Sequence, residues 1–83
     1  MAERGSAIQQ LIARKFAYRR VEAGISLKVM ADSLGVALNT VMAHEAGQRC
    51  FRADMLVEAA AILGCDPRDL MLSAEEVPDY LKG

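Results

Sequence analysis

The sequence has no tryptophan, only two prolines and two cysteines, and a single histidine. Each shortage removes a class of protein. Cys50 and Cys65 lie well apart, with no second pair and no histidine at metal-ligand spacing. Neither a disulfide framework nor a metal site is therefore expected, and both are read as free thiols. No apolar run approaches the roughly 18 to 20 residues that span a bilayer, and the opening MAERGSAIQQ lacks the apolar block of a signal peptide. A cytoplasmic protein with no membrane association is expected. His44 has no nucleophile or carboxylate at a spacing that suggests a triad, and 83 residues leave no room for a separate catalytic domain. Enzymatic activity and a cofactor are not expected.

An excess of basic charge is also missing, since ten Lys and Arg face eleven Asp and Glu. That balance argues against a nucleic-acid partner until the charges are placed along the chain. Up to Arg52 eight basic residues oppose four acidic ones, leaving that half net positive by four, and from Ala53 onward two oppose seven, leaving it net negative by five. A molecule polarised in this way can turn one face toward a polyanion despite its overall charge.

Strict alternation of apolar and polar residues is absent too, and helical spacing recurs throughout, so the chain reads as all-α and as a single domain over residues 1–83. Its core covers about 6–72, with 73–83 as a tail or extra helical turn. The first helix is expected to begin near Ser6, to carry Ile8, Leu11, Ile12 and Phe16 on one stripe, and to stop at Gly24. The second opens at Ser26, a good N-cap, with Leu27, Met30, Ala31 and Leu34 facing inward before Gly35. The third starts at Ala37 or Leu38 and ends at Gly47. After the loop GQRCFR, a fourth helix buries Leu56, Ala59, Ala60 and Leu63. Asp66 and Pro67 then look like the cap and first residue of a short fifth helix holding Leu70 and Met71. Ser73 with Glu76 suits one further capped turn, limited by Pro78. The core is expected around Phe16, Met30, Leu34, Val41, Leu56 and Leu63.

The stretch ISLKVMADSLGVALNTVMAHEAG sets a capped two-turn helix, an alanine on its inner face, a glycine turn and a second helix in fixed succession. Ala31 suits a close helix crossing, Gly35 a sharp reversal, and Val41 an anchor that leaves the other face of its helix outward. The chain here resembles the Cro and lambda-repressor-like (XRE-type) helix-turn-helix family. The resemblance covers roughly Ile8 to Met71, because RRVEAGIS, AHEAGQR and AAAILGCDPRDLM fall in register with the family's other helices.

The resemblance implies a compact five-helix lambda-repressor-like DNA-binding domain with the helix-turn-helix at helices 2 and 3. It implies a structural ion pair between Arg20 and Glu45. It places His44 where the family carries a buried aliphatic residue, so a core histidine with a hydrogen bond is expected. Base-reading positions fall on Ala37, Leu38, Asn39 and Ala43. Of these only Asn39 can make a bidentate contact, preferably to adenine, while the apolar three suit thymine methyl groups. Phosphate contacts are expected from Ser26 and Thr40 and from the cations Lys28, Arg49, Arg52 and Arg19. Three departures stand out. Leu27 replaces a glutamine that would touch the DNA backbone, and Phe51 and Arg52 stand where the family often has proline and a capping serine.

The function implied is a sequence-specific DNA-binding transcription regulator, a repressor acting as a homodimer on double-stranded DNA, with dimer contacts from the fifth helix and the tail around Val77, Tyr80 and Leu81. The alternative is a protein-interaction module that kept the fold and lost most DNA readout, offering Leu27, Leu38 and Met42 to a protein partner.

Overall fold

The computed structural model describes the backbone of residues 4–71 and the side chains of residues 7–71. Among these residues four α-helices follow one another, α1 (Arg4–Glu22), α2 (Leu27–Leu34), α3 (Leu38–Glu45) and α4 (Ala53–Leu63), with a 3-10 turn, Pro67–Leu70, after them. No strand occurs among the described residues. α1 packs on α3 and on the 3-10 turn, α2 packs on both α3 and α4, and α4 packs on the turn.

The α2 boundaries follow from local chemistry. Ser26 is extended at its N-cap, and its hydroxyl oxygen accepts from the Val29 N–H at 3.1 Å, satisfying a donor that has no partner inside the helix. At the other end Gly35 adopts φ +71°, a left-handed conformation that L side chains resist. This lets the Val36 N–H fold back onto the Ala31 carbonyl at 3.0 Å. The reversal into α3 is then complete within three residues. α1 differs from expectation at its start, since its backbone is already helical at Arg4 and Ser6 lies within the helix rather than capping it. Glycine at position 5 only weakens a helix by about 1 kcal/mol relative to alanine and does not end it.

The fifth helix is replaced by the 3-10 turn. Asp66 caps it, with one carboxylate oxygen accepting from the Arg68 N–H at 2.8 Å. The turn closes through Asp69 N–H to Asp66 O at 2.8 Å and Met71 N–H to Arg68 O at 3.2 Å. Met71 is then extended, at φ −103° and ψ 170°, and its carbonyl accepts from Lys15 Nζ at 2.9 Å. The further turn expected at Ser73 to Glu76, and the dimer contacts at Val77, Tyr80 and Leu81, lie outside the described residues.

The core draws on every element: Phe16 from α1, Met30 and Ala31 from α2, Val41 from α3, Leu56, Ala59 and Ala60 from α4, and Leu70 from the 3-10 turn. Leu34 and Leu63, expected at the centre, are half-buried at its edge. The alanines of α4 take their place, because small side chains let that helix approach closely enough to shield Phe16 and Met30. Phe51 supplies the remaining aromatic mass, its ring centroid 4.8 Å from that of Phe16. The loop that lacks the family's proline is thus fixed by ring packing.

Candidate nucleic-acid interface

α3 has two unlike faces, and helical spacing sorts its residues between them. Val41 and His44 point inward and are buried, while Leu38, Asn39 and Met42 are exposed and Ala43 is half-exposed. His44 Nδ1 lies 2.7 Å from the Thr40 carbonyl. A carbonyl only accepts, so that nitrogen carries the proton and donates. The imidazole then stacks beside Phe51 with centroids 4.9 Å apart. His44 therefore locks the inner face of α3.

The exit of α3 is tied to α1 at two successive points. Arg20 meets Glu45 in a two-pronged pair, Nε to Oε2 at 2.5 Å and Nη2 to Oε1 at 3.1 Å, with only 12% of each side chain exposed. The same guanidinium donates through Nη1 to the Ile25 carbonyl at 2.7 Å, reaching the residue directly before the Ser26 cap. Two residues beyond Glu45, the Gly47 carbonyl accepts from the side-chain amides of Gln9 at 3.0 Å and Gln10 at 3.3 Å. Gln9 also accepts from the Cys50 thiol at 3.2 Å. These glutamine contacts escaped the sequence reading because their partners lie more than 35 positions away and no local pattern announces them.

The cations fall into separate groups. Lys28, in the first turn of α2, is exposed and paired with Asp32 at 3.2 Å. Arg52 is exposed and lies 3.4 Å from Asp54. Arg49 is exposed and forms no ion pair among the described residues. Arg49, Arg52 and Thr40 share a cleft of about 480 Å³ with Leu34, Val36 and His44 between α2, α3 and the start of α4. Arg19, in the last turn of α1, is half-buried and does not line that cleft. Exposed ion pairs contribute little, about 0 to 1 kcal/mol, so Lys28 and Arg52 can exchange their carboxylates for a phosphate at small cost.

Ala37 and Arg52, the N-cap residues of α3 and α4, make no side-chain cap hydrogen bond. In their first turns the Thr40 N–H is taken by the Ala37 carbonyl at 3.0 Å and the Met55 N–H by the Asp54 carboxylate at 2.9 Å, so outward donation falls to the earlier N–H groups of each helix. Leu27, expected on the inward stripe of α2 and offered to a protein partner only in the alternative reading, is half-buried and packs against the core. Cys50 and Cys65 are both free, and no trio of His, Cys, Asp or Glu among the described residues is placed to hold a metal ion. No helix among the described residues is long and apolar enough to cross a membrane.

A capped two-turn helix, a three-residue reversal through a left-handed glycine and a second helix with one face outward define a helix-turn-helix protein. The sequence profile of the helix-turn-helix family matches residues 16–70, and the chain belongs to that family, in its XRE-type branch. No curated protein matches the chain by sequence. Solved structures similar to it include two with a TM-score of 0.73 at 25% identity. The restriction-modification controller protein C.AhdI from Aeromonas hydrophila aligns over 78% of this chain and 98% of its own. The hypothetical transcription factor NHTF from Neisseria aligns over 90% of this chain and 83% of its own.

Proposed function

We propose that this chain is a sequence-specific DNA-binding transcription regulator, a repressor that acts as a dimer on a two-fold site. The observation that carries the reading is the exposure of Leu38 and Asn39 on a helix whose opposite side is fixed by Val41, His44 and the Arg20–Glu45 pair. A recognition helix has to present side chains to base edges without rotating, and this arrangement provides both. The names of the two similar structures, a controller protein and a transcription factor, support the same reading. In it, Asn39 makes the one bidentate base contact, Ala37, Leu38 and Ala43 line the groove, and Ser26, Thr40, Lys28, Arg49, Arg52 and Arg19 face phosphates. Dimerisation follows from coverage, since one domain of this size contacts too few base pairs to find a site alone.

A second reading, a protein-interaction module, draws on the exposed apolar side chains Leu38 and Met42. With Leu27 packed inward, the remaining patch is small for that purpose.

Fluorescence polarisation on duplexes selected from a random pool, together with light scattering, tests the proposal. Saturable binding to one enriched sequence by a dimer is expected, and Asn39→Ala should cost about 1 to 3 kcal/mol of discrimination at one position while leaving the fold intact. Failure to bind any duplex at low salt would sink the regulator reading and favour the module.

A further inference from the structure

The outward face of α3 is unusual in its chemistry. Leu38 and Met42, one turn apart, are 42% and 47% exposed, and Val36 in the preceding turn is also open to solvent. Asn39 is the one residue among the exposed side chains of α3 with more than apolar atoms, and no charged group joins them. An apolar face of this kind needs an apolar counterpart. Two large side chains offer far less than the roughly 800 Å² per partner of a specific protein interface. The exposed cations Lys28, Arg49 and Arg52 occur on the neighbouring elements and favour a polyanion as the occupant.

Within the major groove only one apolar group is displayed, the methyl at C5 of thymine. The other bases offer donors and acceptors there, which lose water against leucine or methionine and gain no hydrogen bond in return. The flexible thioether of Met42 can follow a methyl group whose position varies with local groove geometry. Resting on the DNA-binding reading above, we infer that Leu38 and Met42 read C5-methyl groups of pyrimidines. Cytosine methylated at C5 presents the same group at the same place in the groove. Thymine and 5-methylcytosine are therefore accepted at these positions, and uracil and unmodified cytosine are disfavoured. Binding of this protein then responds to cytosine C5-methylation of its site.

The test uses the selected duplex and the full chain. Each thymine is replaced singly by deoxyuridine, which keeps base pairing and removes only the methyl. Binding should weaken about 4-fold, the worth of one buried methyl-sized group, at the positions beneath α3 and stay unchanged elsewhere. At those positions a C·G pair carrying 5-methylcytosine should bind about 4-fold more tightly than the unmethylated pair. In Leu38→Ala and Met42→Ala variants, with helicity checked by circular dichroism, the deoxyuridine penalty should disappear while salt-dependent binding persists. Sequence-specific binding with no deoxyuridine penalty at any position overturns this inference and leaves the regulator reading standing. Absence of binding to every duplex in about 50 mM salt overturns both.

Discussion

Arg20 and Glu45 lock the last turn of α1 to the last residue of α3 through two parallel contacts, with a third arm of the guanidinium on the Ile25 carbonyl. Removing one member strands the other in a largely dry setting. Glu45→Ala should cost about 3 to 5 kcal/mol, read as a lower urea midpoint with unchanged slope. Arg20→Lys should lose most of the same amount, because an ammonium cannot hold a two-pronged carboxylate and a carbonyl in one plane. An Arg20→Lys variant as stable as the parent would show that the fork geometry contributes nothing.

Gly47 combines φ +76° with a position where an added Cβ would fall inside the amide group of Gln10. Gly47→Ala is expected to destabilise the fold by about 1 to 2 kcal/mol from the left-handed backbone alone. The collision adds to this, although Gln10 is exposed and can swing away. The double variant Gly47→Ala with Gln10→Ala should recover only the steric part, and thermal melts of the three variants separate the two contributions.

Phosphate neutralisation should appear as a salt dependence of binding, with a slope of log K against log salt of about −3 to −4.5 per monomer. Arg49→Ala should make that slope shallower by about 0.9, the value of one phosphate contact, and lower affinity to all sequences alike. An unchanged slope would remove Arg49 from the interface.

Asp66 carries a pH dependence that the geometry makes specific. The Arg68 side chain donates to it, the Arg68 backbone N–H donates as well, and its carboxyl is held below its ordinary range. A carboxyl lowered in the folded state contributes stability above its unfolded value and loses it as pH falls through the folded one. Asp66→Asn should therefore melt below the parent protein at neutral pH, with the gap closing in acid. A gap that is constant from neutral pH to acid would assign the effect to shape rather than charge.

The helix-turn-helix was legible because its signals are local. Ser26, Gly35 and the spacing of Met30, Ala31 and Val41 each act within a turn or two, and the structure uses them as their chemistry suggests. The start of α1 was misplaced because a serine after a glycine looks like a cap whether or not the preceding residues are helical. The 3-10 form of the turn after α4 was not visible because the carbonyl that follows it, on Met71, meets Lys15, a side chain 56 positions away. Periodicity put Leu34 and Leu63 on the inner stripe and could not say that the alanines of α4 would draw the centre elsewhere. For the site, the exposed and buried faces of α3 followed from sequence spacing. Met42 was named from sequence as part of an apolar patch, and the structure keeps it exposed while Leu27 turns inward.

Gly47 is gripped by two amides from α1, two residues beyond the one that Arg20 holds. Turning α3 about its own axis would carry Leu38, Asn39 and Met42 together away from the crest, and it would have to tear both attachments. The first helix thus sets the azimuth of the third. Exchanges at Gln9 or Gln10, positions assigned no contact with DNA, should alter which base is read before they alter how firmly the duplex is held.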